Sequence, residues 1–195
     1  DQLKNKFKTF NKVYFVACGT AYHACLSGAN VMERLTKLPT FIQVASEFRY
    51  SNPIIDDKTL CIFVSQSGET ADTLAALRLA KVKGCTTIAI ANVLGSTISR
   101  EAAATIYTCA GPEIAVASTK AYTSQVVLIA ILAMHFAEIL GSCDLAEIEQ
   151  LKSDMIDLPS KIEKILDDTE VIKEFANKVY TEKDMFFLGR GTDYN

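Results

Sequence analysis

The sequence predicts an α/β domain: a three-layer sandwich with a mostly parallel five-stranded sheet flanked by helices, followed by amphipathic linker helices and the first strand of a second lobe. Three observations carry this expectation. Short apolar runs recur along the chain, the stretches between them have helical spacing, and several runs are apolar nearly throughout. A strand reads that way when both of its faces are covered, as in a parallel sheet between helical layers.

In chain order the runs are VYFVA (13–17), FIQVA (41–45), LCIFV (60–64), TIAIA (87–91) and TIYT (105–108). Between them, Ala21 to Thr36 and Thr70 to Lys83 are read as helices. The second carries Leu74 and Leu77 on one face, Lys81 and Lys83 in its last turn and Gly84 at its end. A short helix is expected over 96–102 and a long buried one over 118–140. The most apolar part of the latter, Val126 to Leu140, contains His135 and Glu138 and is shorter than the ~20 residues that span a bilayer. A core helix and no membrane partner are therefore expected. Nothing in the pattern orders the strands within the sheet.

From Asp144 the composition becomes charged, with Leu145, Ile148, Leu151, Met155, Ile162, Ile165 and Leu166 at helical spacing. Amphipathic helices follow, with a break or restart at Pro159; the irregular heptads weigh against a coiled-coil arm. At the end of the chain MFFLGRGTDY (185–194) repeats the pattern of VYFVACGTAY (13–22), each an apolar strand running into a Gly-Thr-x-Tyr turn. Such a repeat implies two equivalent lobes. The expected division is a first lobe over 1–143, a helical linker over 144–182 and the start of a second lobe over 183–195, the rest of which would lie beyond Asn195.

The 23 acidic and 20 basic residues are spread along the chain and leave a net charge of -3. No basic stripe is available to a nucleic-acid backbone, which excludes that partner. The six cysteines, at 18, 25, 61, 85, 109 and 143, form neither CxxC nor a Cys/His zinc spacing, and four lie in apolar runs. They read as reduced core thiols of a cytoplasmic protein that uses no metal and no cofactor. The charged opening DQLKNKFKTFNK lacks the features of a secretory signal, and Asp1 reads as a point inside a longer protein.

The segment LCIFVSQSGETADTL carries the most chemistry. Its strand runs into Ser65, Gln66, Ser67, Gly68, Glu69 and Thr70 and then into a helix. A helix amino end has unpaired N–H groups and a partial positive charge, so a phosphate placed there accepts backbone hydrogen bonds, and Ser and Thr hydroxyls add short donors. Gly68 allows close backbone approach. The loop has neither the lysine of a GxxxxGK pattern nor GxGxxG, which argues against a nucleoside triphosphate or a dinucleotide. The plainer alternative is that Ser67 or Thr70 only caps the helix. Glu69 and Asp72 suit the helix dipole and would repel an anion.

ACGTAYHA (17–24), ASEFRY (45–50), SQSGETADTL (65–74) and EIAVASTKAYTSQ (113–125), in this order, resemble the first SIS lobe of the glutamine:fructose-6-phosphate amidotransferase family. The resemblance covers nearly the whole chain. It implies a protein with an N-terminal glutaminase domain and two SIS lobes, converting fructose 6-phosphate and ammonia into glucosamine 6-phosphate and associating as a homodimer through those lobes. It also implies phosphate contacts from Ser65, Gln66, Ser67 and Thr70, a sugar contact from Thr20, and contacts from Val116 and Ser118. In many members the residue after that threonine is a serine. Here it is Ala21, so one hydroxyl donor is absent, a loss of about 1 kcal/mol.

The family's catalytic glutamate, lysine and histidine belong to the second lobe, so no catalytic residue is expected in this chain, which by itself should bind a sugar phosphate without turning it over. Glu69 and Glu113 are poor replacements for a positioned acid/base. His23 and His135 read as ordinary helix residues, and Lys120 as either a phosphate neighbour or a solvent-facing side chain. The alternative function is a sugar-phosphate sensing module of a regulator, which would need a DNA-binding segment that these residues do not show. A stand-alone isomerase is disfavoured by the repeat beginning at Met185.

Overall fold

The computed structural model describes residues 4–114 and 118–194. The chain divides into two compact units, one ending at Ser142 and the other spanning Cys143–Tyr194. The first contains, in order, α1 (Lys4–Phe7), β1 (Lys12–Ala17), α2 (Gly19–Thr36), β2 (Thr40–Val44), α3 (Ala45–Phe48), β3 (Thr59–Ser65), α4 (Ala71–Val82), β4 (Thr86–Ala91), α5 (Thr97–Glu101), β5 (Ala104–Tyr107) and α6 (Thr119–Leu140).

All five predicted runs form strands, and all pair in parallel, in the order β2-β1-β3-β4-β5. Every residue of β3 and β4 is buried, as their unbroken apolar sequence requires, whereas the edge strands β2 and β5 are only half-covered. The second strand ends one residue before the sequence pattern does, because Ala45 already opens the short helix α3.

Successive strand residues face opposite layers. Val16, Cys61, Phe63, Ala89 and Ala91 pack on one face with Phe48 of α3, Leu74 and Leu77 of α4 and Ile98 of α5. The alternate set, including Phe15, Ile62, Val64, Ile88 and Ile90, is also buried and faces the layer of α2 and α6. Helix α6 has 22 residues, and its most apolar 18-residue stretch has a mean hydropathy of 1.8, so by length and composition it could cross a membrane. The stretch read as too short to span, Val126 to Leu140, is thus the apolar part of this longer helix. Its Ile129, Ala133, Met134, Phe136 and Ala137 are nevertheless buried within this unit.

The two outer helices approach closely at Gly28, where an added Cβ would meet the side chain of Ile129, whose own Cβ lies 2.9 Å away. Ile129 is fully buried. A hydrogen bond between Ser27 Oγ and Tyr122 Oη (3.1 Å) joins the same pair of helices.

The second unit consists of α7 (Leu145–Asp167), α8 (Glu170–Val179) and a 3-10 turn at Gly191–Tyr194. The expected break at Pro159 does not occur: α7 runs through it and ends at Asp167. Proline removes one N–H and crowds the carbonyl four residues back, but Pro159 and its neighbours are exposed, so water can take the bond that is lost. Residues 183–190 form no strand pairing among the described residues; a strand exists only with a partner strand beside it.

These contacts set the sign of one substitution. Gly→Ala inside a helix ordinarily gains about 0.5–1 kcal/mol, while overpacking a filled core costs typically about 1–3 kcal/mol. With Ile129 held on all sides, Gly28→Ala is expected to lower stability by about 1 kcal/mol, read as a lower urea midpoint at unchanged slope. A stabilised variant would show that the two helices can part without penalty.

Candidate functional site

The strand order locates the site. From β1 the chain crosses to β2 on one side, while the connection into β3 returns to the other side, so β1 and β3 are neighbours whose onward helices leave to opposite faces. In open α/β sheets a crevice opens at the carboxyl ends of such a pair. Here it is a cavity of about 510 Å³, lined by Cys18, Gly19, Thr20 and Ala21 after β1, by Val64, Ser65, Gln66, Ser67 and Thr70 around the end of β3, and by Glu113, Ser118, Ala121 and Gln125. Of the expected site residues, Thr20, Ser65, Gln66, Ser67, Thr70 and Ser118 are thus brought together, although they span nearly 100 positions of sequence. Val116 lies outside the described residues.

Three helices begin on this cavity. The residues preceding α2 and α4, Cys18 and Thr70, make no side-chain capping bond, and neither α2 nor α6 has an acid in its first turn. The partial positive charge of these ends is therefore directed at the cavity without a neutralising carboxylate on α2 or α6.

Within the 65–70 loop, Ser65 Oγ accepts a hydrogen bond from Gly68 N–H (3.0 Å) and pairs with Thr70 Oγ1 at 3.1 Å. Ser67 Oγ accepts from Glu69 N–H (3.2 Å). The hydroxyls are organised by the loop itself, and neither Ser67 nor Thr70 caps α4, which removes the plain capping alternative. Gly68 has a different role from the one expected. Its φ is +70°, and a Cβ there would collide with Ser96 and Ile98. The close approach is to the protein, so this glycine shapes the turn and does not make room for a ligand.

Glu69 points away from the cavity: its Oε1 accepts from Thr97 N–H at 2.7 Å, at the start of α5. The bonds from the Thr97 backbone and then its side chain hold this carboxyl below the usual glutamate range. Lys120 is likewise turned aside, with Nζ donating to Pro112 O at 2.5 Å. His23 and His135 are exposed; His135 Nδ1 lies 3.7 Å from Glu138, and neither histidine lines the cavity. All six cysteines are free, but only Cys25, Cys61 and Cys85 are core thiols: Cys109 is exposed, and Cys18 and Cys143 are partly so.

Sequence reasoning missed Asn92 and Gln125, and weighed Glu113 only as an acid/base. Asn92 follows β4 and ties the site together: its N–H donates to Gln66 O (3.0 Å), its Oδ1 accepts from Thr108 Oγ1 (3.0 Å) and Ala110 N–H (2.9 Å), and its Nδ2 donates to Gly111 O (2.7 Å). An asparagine directly after a buried parallel strand was the available signal. Glu113 receives the Ser118 hydroxyl and the Ile114 N–H (3.0 Å), while Ser118 Oγ also caps α6 through Ala121 N–H (3.1 Å). Gln125 is 2% exposed and reaches the cavity from α6.

A family model described as the SIS domain matches residues 6–135. The chain is 57% identical over 191 residues to glutamine--fructose-6-phosphate aminotransferase [isomerizing] of Clostridium tetani, covering 98% of this chain and 31% of that protein. It is 43% identical over 190 residues to the aminotransferase of the same name from Methanosarcina mazei, covering 97% and 31%. The C-terminal domain of glucosamine-fructose-6-phosphate aminotransferase from Francisella tularensis superposes with a TM-score of 0.94 at 34% identity, covering 99% of this chain and 54% of that one. The chain spans 31% of the length of these curated relatives.

The Glu69 geometry has a pH signature. A carboxyl whose folded pKa is depressed contributes stability that is present above its unfolded value and is lost as pH falls through the folded one. Carboxyl NMR titration is expected to place Glu69 below an ordinary glutamate, with the Thr97 amide shifting in the same step. In Thr97→Pro, which lacks the N–H, the midpoint should rise toward the ordinary value; a midpoint already ordinary in the unaltered chain would contradict the contact.

Proposed function

Because the chain belongs to the SIS-domain family, we propose that it is the first sugar-phosphate-binding lobe of a glucosamine-6-phosphate synthase, which makes glucosamine 6-phosphate from fructose 6-phosphate and glutamine. The observation that carries this reading is the cavity between β1 and β3, where the hydroxyls of Ser65, Ser67 and Thr70 stand at the uncapped amino end of α4. The names of the relatives support the substrate, since each includes fructose-6-phosphate. Ser65, Gln66, Ser67 and Thr70 hold the phosphate, Thr20 contacts the sugar, and Ser118 adds a further ligand contact.

Isomerisation needs a positioned acid/base to carry a proton between neighbouring carbons. Among the described residues no histidine or lysine lines the cavity, and its carboxylate, Glu113, is engaged by Ser118 and Ile114. The role of this lobe is therefore binding, with the reacting groups supplied by a second lobe of a longer protein. In this scheme residues 144–182 link the lobes and 183–195 begin the second. A phosphate held equally in ground and transition states does not lower the barrier by itself.

The test is calorimetric titration of the chain with fructose 6-phosphate, beside an assay of its interconversion with glucose 6-phosphate. Binding without turnover is expected, and Ser67→Ala should weaken binding about tenfold, the effect of removing one hydrogen bond to a charged group. Equal affinity in the two proteins would move the phosphate off this loop, and turnover by the chain alone would give this lobe its own acid/base.

We also propose that the lobe self-associates. The support for this is the family resemblance, which implies association through SIS lobes; Ile54, Leu94 and Ile131 are exposed apolar side chains on the first unit. Sedimentation at rising protein concentration is expected to show dimers; a monomer throughout would count against it.

A further inference from the structure

Two of the side chains lining the cavity are both polar and buried, Ser65 and Gln125. Ser65 is hydrogen-bonded within its own loop. Gln125 makes no hydrogen bond among the described residues, although it is only 2% exposed. The buried hydroxyls without a partner among those residues are those of Thr73, Thr86 and Ser96; the Gln125 amide instead opens on the cavity, where an occupant can pair it. The residues that follow it on α6, VVLIAILAM, are apolar, so a leucine would have suited this helix better on packing grounds alone.

We propose that Gln125 binds the carbohydrate part of the ligand and reads its hydroxyl groups, while the phosphate sits on the 65–70 loop. This rests on the sugar-phosphate reading above and adds a specificity residue to it. A carboxamide offers two N–H donors and a carbonyl acceptor. A phosphate can only accept, and toward it the carbonyl oxygen would be left facing negative charge. A hydroxyl both donates and accepts, so neighbouring sugar hydroxyls satisfy both ends of the group. Position agrees with chemistry: Gln125 is one turn beyond Ala121 on the same face of α6, about 6 Å further along the helix. It is thus set back from the amino end that attracts the anion. Ala21, on the same cavity, offers no hydrogen bond of its own, which leaves the carboxamide a larger share of the recognition.

A site built around a ligand hydroxyl discriminates strongly against a ligand without it. The experiment therefore compares fructose 6-phosphate with inorganic phosphate, titrated by NMR into the unaltered chain and into Gln125→Leu. Gln125→Leu is expected to weaken fructose 6-phosphate about tenfold and to leave inorganic phosphate unchanged. The thermal midpoint of the ligand-free variant should be nearly unchanged, because the amide opens on the cavity and makes no hydrogen bond to the protein among the described residues. Gln125→Met, of similar shape, should behave in the same way and serves if Gln125→Leu does not fold. Equal weakening for both ligands would transfer Gln125 to the phosphate. Unchanged affinities, or a lower midpoint with uniformly reduced binding, would make it a packing residue. Failure of the unaltered chain to bind either ligand would sink the sugar-phosphate reading itself, an outcome distinct from unaltered binding that is insensitive to Gln125.

Discussion

The order of the strands is the constraint from which the rest of the first unit follows. Because β1 and β3 are parallel neighbours and their onward connections cover opposite faces, no single helix can close over both of their carboxyl ends. The gap brings Thr20 and the 65–70 loop to one place. It also fixes which helices begin there: α2 and α4 start where their strands stop, and α6 completes the wall with Ser118, Ala121 and Gln125. Local sequence supplies the hydroxyls, but topology makes them face one another.

The cavity presents mainly neutral donors. Two charges near it in sequence are bound elsewhere, Glu69 to Thr97 and Lys120 to Pro112. An anion would therefore meet hydroxyls and the amino ends of helices, with no lysine or arginine on the lining among the described residues. Recognition of this kind depends on direction more than on charge, because a hydrogen bond weakens steeply once its angle is lost. That explains why so much of the loop is internally braced: Ser65 to Gly68 and Thr70, Ser67 to Glu69, and Gln66 to Asn92. Gly68, whose φ is positive and whose missing side chain would collide with Ser96 and Ile98, sets the course of that loop.

The strands were legible because strands buried on both faces leave an unmistakable apolar run, and the 65–70 loop was legible because hydroxyls and glycine between a strand and a helix have few other uses. Their order was not legible, since the same apolar runs are compatible with several arrangements side by side. The stop expected at Pro159 failed for a related reason: the local penalty is real, but the exposed surroundings of the residue absorb it. Gln125 was invisible because one polar residue in an apolar helix carries no periodic signal, and its importance lies in the absence of a partner, which no sequence states. Asn92 had a signal in its place after β4, but its four hydrogen bonds join segments that sequence leaves unconnected.

All seven residues of β3 are buried, and the strand pairs with β1 on one side and β4 on the other. A segment so enclosed opens only when most of the domain opens with it, so its amide protons belong to the slowest-exchanging class, those that report global unfolding. The 65–70 loop is the direct continuation of that strand. The loop proposed to hold the phosphate is thus anchored to an element enclosed on both sides, so its hydroxyls would keep their positions whether or not a ligand is bound. Adaptability on binding has to come from the other walls, where Thr20 is exposed and Glu113 lies on an irregular segment.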